Sequence, residues 1–298
     1  MKSCIKKLVK FLLSKSGLLQ HFQRTVYIHS NDKVYILPQQ PAAGKLQGLT
    51  AFVTGASGAI GRAITAILIS HGAVVVAVGR NKEKLQQLEN EMNALHSDSC
   101  RICIANLENE QELSTAVHQC MRGTENIDIW VNCAGGSARE KARPLIEQSM
   151  DIINSVIDSN LKTCIIGCKV AASQMVLQGH GSIVNISSSI VERGLASYSE
   201  YTATKAGVIG FSKNLALELG QSGIRVNCVS PSFIQRGEYD QQQHEYLLHT
   251  SCIKHVGTPE DIAHAVAFLV SPEARFISAQ NLLVDGARHL WVPKNRTT

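Results

Sequence analysis

Thr54-Gly55-Ala56-Ser57-Gly58-Ala59-Ile60-Gly61 is the stretch whose reading decides the fold. It follows directly on a short apolar run, Leu49 to Val53, and leads into a helical pattern carried by Ile64, Ile67 and Leu68. Strand, glycine-rich turn and helix in that order is the context a dinucleotide site needs. The glycines let the backbone turn tightly and approach a pyrophosphate, whose charge is favoured at the helix N-terminus. A second apolar run, Ala73 to Val78, completes a βαβ unit. An acidic residue at its end would bond the ribose hydroxyls of NAD, but Gly79 and Arg80 stand there instead. An arginine suits the 2′-phosphate of NADP, so NADP(H) is favoured, with NAD(H) the alternative if Arg80 merely ends the strand in water.

Alternation continues outward from that unit. Arg101 to Ala105 reads as a strand, Glu110 to Met121 as a helix and Ile127 to Asn132 as a strand. A long helical stretch, Met150 to Leu177, precedes the apolar strand Ser182 to Ser187, and a helix around Tyr201 leads to the strand Arg225 to Val229. Pro259 to Leu269 and Asn281 to Val284 close the series as helix and strand. Repeated βα units predict an α/β, Rossmann-type doubly wound parallel sheet with right-handed crossovers. The expected organisation is one catalytic domain over 45–298 behind an N-terminal extension and linker over 1–44.

The chain of 298 residues is 44% hydrophobic and 18% charged, enough to bury a large core. Its net charge of +5 is unevenly placed: the first 33 residues hold seven lysines and arginines against Asp32 alone, so the rest is close to neutral. The basic pI therefore belongs to the extension and argues against a nucleic-acid partner. Within it, Ile5, Leu8, Val9, Leu12 and Leu13 recur at helical spacing among lysines, a pattern suited to peripheral contact with an anionic membrane through residues 1–24. The segment is too short and too charged for a secretory signal, and mitochondrial import is disfavoured by its scarcity of arginine. Thr25 to Leu37 reads as two short strands about a Ser30-Asn31-Asp32 turn. The nine cysteines include Cys100-x-x-Cys103. In a strand its thiols face opposite ways, and no ligand cluster follows at metal spacing, so no metal is expected. Free thiols, mostly buried, point to a reducing, cytoplasmic setting.

Tyr201 and Lys205 stand four residues apart, which puts them on one face of a helix. There the ammonium favours the phenolate, so the tyrosine can exchange a proton near neutral pH. Tyr198 lacks such a partner, because position 202 is Thr. With the glycine turn, Asn132-Cys133-Ala134-Gly135, Asn160, Ser187-Ser188 and Val229-Ser230-Pro231 in this order, the chain from about Lys45 to Leu290 resembles the short-chain dehydrogenase/reductase family in its single-domain branch. The resemblance implies an oxidoreductase that interconverts a carbonyl and a secondary alcohol, with hydride carried by the cofactor. It implies Tyr201 as acid/base, Lys205 as its electrostatic partner and holder of the nicotinamide ribose, Ser188 as the substrate-orienting hydroxyl, and Asn160 as part of a water-borne proton relay. The cofactor contacts it implies are Thr54, Gly55, Ser57, Gly58, Ile60, Gly61, Arg80, Asn106, Asn132, Ala134, Gly135, Tyr201, Lys205, Pro231, Phe233 and Ile234.

Four positions depart from the family pattern: Cys133 replaces an Asn, Asn106 an Asp, Ser232 a Gly and Arg236 a Thr. The last two keep open an alternative, a cofactor-binding scaffold with weak or no turnover. Substrate choice is expected in the loops Gly136 to Pro144, with Arg139, Lys141 and Arg143, and Ser232 to His255, which is polar. The partner is then a small carbonyl or alcohol compound. Apolar residues on the two long helices, such as Ile165, Ile166, Val208 and Phe211, suit a homodimer or homotetramer.

Overall fold

A computed structural model describes residues 25–30, 33–38, 44–121, 126–235, 241–253 and 255–290. The chain divides into two compact units, 1–45 and 46–298. In the first, β1 (Thr25–Ser30) and β2 (Lys33–Pro38) pair antiparallel, from Thr25 opposite Pro38 to Ser30 opposite Lys33. The amphipathic stretch read in residues 1–24 lies outside the described residues, as does most of the linker.

The second unit alternates strands and helices in the order expected. Its strands are β3 (Thr50–Thr54), β4 (Val74–Gly79), β5 (Cys100–Ile104), β6 (Ile129–Asn132), β7 (Gly181–Ile186), β8 (Ile224–Pro231) and β9 (Asn281–Val284). Its helices are α1 (Ala59–Ser70), α2 (Lys82–Leu95), α3 (Glu110–Cys120), α4 (Met150–Ile157), α5 (Thr163–Gln178), α6 (Ser199–Leu219), α7 (Gln241–His249) and α8 (Pro259–Val270). All neighbours in the seven-stranded sheet are parallel, in the order β5-β4-β3-β6-β7-β8-β9. This is the Rossmann-type sheet, with its order reversing between β3 and β6, where ligands of open α/β sheets bind.

A sheet covered on both faces needs strands apolar on both faces. Successive residues of β3 accordingly enter different cores. Ala51 and Val53 pack with Ile64 and Leu68 of α1 and Val266 of α8, while Phe52 packs with Trp130 and Val208 on the other side. Phe52 and Trp130, opposite one another in the β3–β6 register, stack at 5.6 Å. The alternation also settles the CxxC pair: Cys100 joins the first core and Cys103 the second. Burial pushes the Cys100 thiol up to about 12, with the nearby Glu89 charge adding to it, so it stays protonated and inert. Of the thiols described, Cys252 is exposed, an exception to the expected burial.

Two helices were not foreseen. The apolar positions of α2 reduce to Leu85, Leu88 and Met92 in an otherwise polar segment, but Asn81 caps it by accepting from the Lys84 amide at 2.8 Å. Helix α7 occupies the polar loop between Ser232 and His255 and buries Leu247. The predicted long helix 150–177 forms, but a π-helical turn, Asp158–Lys162, separates α4 from α5. Such turns break the 3.6-residue phase and occur often at functional positions.

Candidate active site

The C-terminal ends of the strands open onto a cleft of about 610 Å³. At its floor the backbone leaves β3, turns through Gly55 at φ +66° and enters α1. A Cβ on Gly55 would lie 2.8 Å from the Ala134 backbone, and one on Gly61 would strike the Gly55 carbonyl oxygen. Glycine is therefore required for the turn to lie this close to both β6 and its own helix. Helices α2, α3 and α4 have side-chain caps from Asn81, Asn109 and Ser149, whereas Gly58 provides none for α1. The first-turn amides of α1 are thus left to a ligand on the cleft side, where Ser57, Gly58, Ile60 and Gly61 form the lining. This bare backbone cradle fits a dinucleotide pyrophosphate. At the β4 end Arg80 lines the cleft with its side chain 70% exposed, 3.9 Å from Glu108, and Lys84 from α2 stands beside it in the lining.

Helix α6 carries Tyr201 and Lys205 on one face, and both line the cleft. Lys205 is buried; its Nζ donates to the Ile186 carbonyl at the end of β7 at 2.9 Å and lies 5.7 Å from the Tyr201 ring centroid. Ser187 and Ser188 separate in role. Ser187 is buried and its Oγ donates to the Lys205 carbonyl at 2.9 Å, tying β7 to α6. Ser188 is half-buried on the cleft, and its Oγ accepts from the Ile190 amide at 3.3 Å.

Asn160 sits in the π-helical turn, almost fully buried, and is absent from the cleft lining. Its Oδ1 accepts from the Gly136 amide at 3.1 Å, and its Nδ2 donates to the carbonyls of Gly136 at 3.0 Å and Val156 at 2.9 Å. The side chain clamps the loop after β6, where Gly135 has φ +133° and a Cβ would lie 2.5 Å from Asn160 Oδ1. Three of the expected cofactor residues also lie behind the wall. Thr54 Oγ1 accepts from the amides of Cys133 at 3.1 Å and Ala134 at 3.3 Å. Asn132 is buried, taking the Trp130 indole N–H at 2.8 Å and donating to Asn185 Oδ1 at 2.8 Å. Ile234 is buried against α8 residues. Asn106 also stays off the lining, accepting at Oδ1 from the Glu108 amide at 3.2 Å. Ala134, Gly135, Pro231 and Phe233 line the cleft as expected, and so does Ser232. Arg236 lies outside the described residues.

Lining from the loop after β6 ends at Ser137; Lys141 and Arg143 are exposed and do not reach the cleft. Its basic residues on the β7–β9 side are instead Arg193, Arg288 and His289, which no motif had marked. They come from the helical turn Ile190–Arg193 and the 3₁₀ turn Arg288–Leu290, segments with no shared sequence spacing.

The parallel sheet with helices on both faces agrees with the comparisons. A family model described as enoyl-(acyl carrier protein) reductase matches residues 55–289. The 3-oxoacyl-[acyl-carrier-protein] reductase FabG of Rickettsia prowazekii (strain Madrid E) is 38% identical over 244 residues, covering 81% of this chain and 97% of that protein. Nodulation protein G of Rhizobium meliloti (strain 1021) is 35% identical over 245 residues, covering 81% and 97%. A solved short-chain type dehydrogenase/reductase from Mycobacterium ulcerans superposes with a TM-score of 0.77 at 31% identity, covering 82% of this chain and 90% of the other. Sequence and fold thus meet on one conclusion: the chain belongs to the short-chain dehydrogenase/reductase family, a family of oxidoreductases.

Proposed function

We propose that this chain interconverts a carbonyl and a secondary alcohol, with Tyr201 as acid/base and NADP(H) favoured over NAD(H). The observation that carries the reading is the placement of Lys205: a buried ammonium on the cleft wall, held by the Ile186 carbonyl and facing the Tyr201 ring. A buried cation with one backbone partner retains donors for a ribose hydroxyl and a charge for the neighbouring phenol. The name borne by the Rickettsia relative, a reductase of 3-oxoacyl groups, supports the direction of reduction.

The bound dinucleotide would lie along the glycine turn and supply the hydride. Tyr201 gives its hydroxyl proton to the carbonyl oxygen, and Lys205 stabilises the phenolate that remains. Ser188 donates to the same oxygen and fixes the substrate carbonyl. Asn160 acts at one remove: it holds the Gly135-Gly136 backbone that walls the site, and any relay through water would use that backbone rather than its committed amide. Arg80 and Lys84 give the adenosine end a positive charge suited to a 2′-phosphate. We place the protein in the cytoplasm, as a homo-oligomer formed through the long helices; no helix among the described residues is long and apolar enough to cross a membrane.

The test follows NADPH absorbance with a panel of 3-oxoacyl thioesters, oxoacids and sugars. Tyr201→Phe should slow turnover by at least about a hundredfold, the lower bound for a lost general acid. Equal rates in the two proteins would refute the mechanism.

A further inference from the structure

Two arginines line the end of the cleft to which the proposed chemistry gives no role. Arg193 closes the helical turn after β7, and its Nη1 donates to the Arg288 carbonyl, from the turn after β9, at 2.9 Å. Arg288 lies 4.8 Å from the Phe233 ring centroid and 5.3 Å from that of Tyr246, and its Nη2 donates to the Tyr246 hydroxyl at 3.2 Å. The aromatic rings hold the planar fork in place, yet only this one of its N–H groups has a partner among the described residues. No carboxylate among them pairs with either arginine. Asp285, whose charge acts on Arg288, is already committed: it accepts from His289 Nδ1 at 2.7 Å and from the amides of His289 and Ala287, each at 2.9 Å. Burial holds the Arg288 guanidinium below the ordinary arginine range, and the Arg193 charge pushes the same way. Tyr246 and Asp285 act the other way, yet neither arginine has a carboxylate pair among the described residues, so both keep donors suited to an anion.

Sheet order sets the Arg288 turn apart from the expected places of the cofactor's phosphates. Arg80 follows β4 and Arg288 follows β9, five strand positions away, or roughly 24 Å at the usual strand spacing. The pyrophosphate cradle follows β3, four positions from β9. That position suits an anion carried by substrate entering beyond Ser188 and Tyr201.

We propose that Arg193 and Arg288 form an anion site that takes a carboxylate or phosphate on the substrate, selecting acidic carbonyl compounds. The inference rests on the reading of the cleft as a carbonyl-reduction site, and the test separates the two. The full chain, with and without NADP⁺, is titrated calorimetrically with two probe pairs: 3-oxobutanoate against its methyl ester, and dihydroxyacetone phosphate against dihydroxyacetone. In at least one pair the anion should bind tenfold or more tightly, and the pair that responds tells carboxylate from phosphate. The preference should fall below threefold in Arg288→Gln and Arg193→Gln and persist in Arg275→Gln, which removes the same charge outside the cleft. Arg193 is exposed, so its variant tests the site even if loss of the Arg288 stack unfolds the turn. A preference that survives in Tyr201→Phe supports the site independently of the chemistry. No preference in either pair, or one retained in both cleft variants, overturns it, even if neutral ketones are reduced.

Discussion

Replacing Gly61 by alanine isolates the close approach on which the cofactor site depends. The residue is an ordinary helical one, so alanine should gain roughly 1 kcal/mol of helix propensity. Against that, the new methyl would strike the Gly55 carbonyl oxygen and lie 2.8 Å from the Ala56 Cα and the Gly55 carbonyl carbon. All three obstacles are backbone, so no side chain can swing aside and the turn itself must withdraw. Overpacking of this kind costs about 1–3 kcal/mol and occasionally more. The net is a destabilisation of up to about 2 kcal/mol, or at most roughly 4–8 °C in Tm for a domain of this size. Withdrawal of the turn also moves its amides off the pyrophosphate, so NADPH affinity should fall at least tenfold. Calorimetric melting and NADPH fluorescence titration read the two effects. Gly210→Ala is the counterpart: in α6, with nothing within 4 Å of its would-be Cβ, it should stabilise by about 1 kcal/mol. A Gly61→Ala protein with Tm within 1 °C and NADPH affinity within twofold of wild type would refute the steric argument.

Arg80→Ala should lower kcat/KM for NADPH by about tenfold or more, the loss of a charge-assisted contact, and change that for NADH by less than twofold; an unchanged ratio removes Arg80 from cofactor choice. Asn160→Ala removes an almost fully buried side chain together with its hydrogen bonds to the Gly136 amide and carbonyl and to the Val156 carbonyl, and should cost about 1–2 kcal/mol, read as a Tm loss larger than that of Ser159→Ala. His180 is held above its usual pKa by its 3.0 Å bond to Asp128, with the Gln178 carbonyl adding to it. Its contribution is therefore complete below the unfolded pKa and lost as pH rises through the raised folded value. With the imidazole half exposed the effect is at most a few tenths of a kcal/mol, so the Tm difference between wild type and His180→Gln should be small, present at pH 5.5 and gone by pH 8.5; a difference that grows with pH contradicts the pairing.

The strands were legible because their signal is local. Ala51-Phe52-Val53 or Val75-Val76-Ala77 must be apolar on both faces, and such a run needs no partner to be recognised. Helix α2 escaped because its exterior is polar and only three of its residues are buried, a stripe too thin to read as a period. The π-helical turn escaped for a different reason. What holds Asn160 there is the backbone of Gly136, 24 residues away, and a contact of that range leaves no mark on the local pattern.

The same distinction divides the site. Residues proposed to meet a dinucleotide's charged backbone must be small or absent as side chains, so Gly55, Gly58 and Gly61 stand out in any reading. Thr54, Asn132 and Asn160 belong to the same motifs but work behind the surface, fastening β3 to β6, β6 to β7 and the helix turn to the loop. A motif thus marks the residues a site needs, without saying which of them a ligand meets. The groups facing the substrate obey the opposite rule. Arg193 and Arg288 are 95 residues apart and meet only because β7 and β9 end on the same edge of a parallel sheet. Since every loop after a strand opens on that edge, substrate-facing residues can be drawn from separate segments while the glycine turn stays fixed. The chemistry of this protein is therefore written in contiguous motifs, whereas its choice of substrate is written in the strand order.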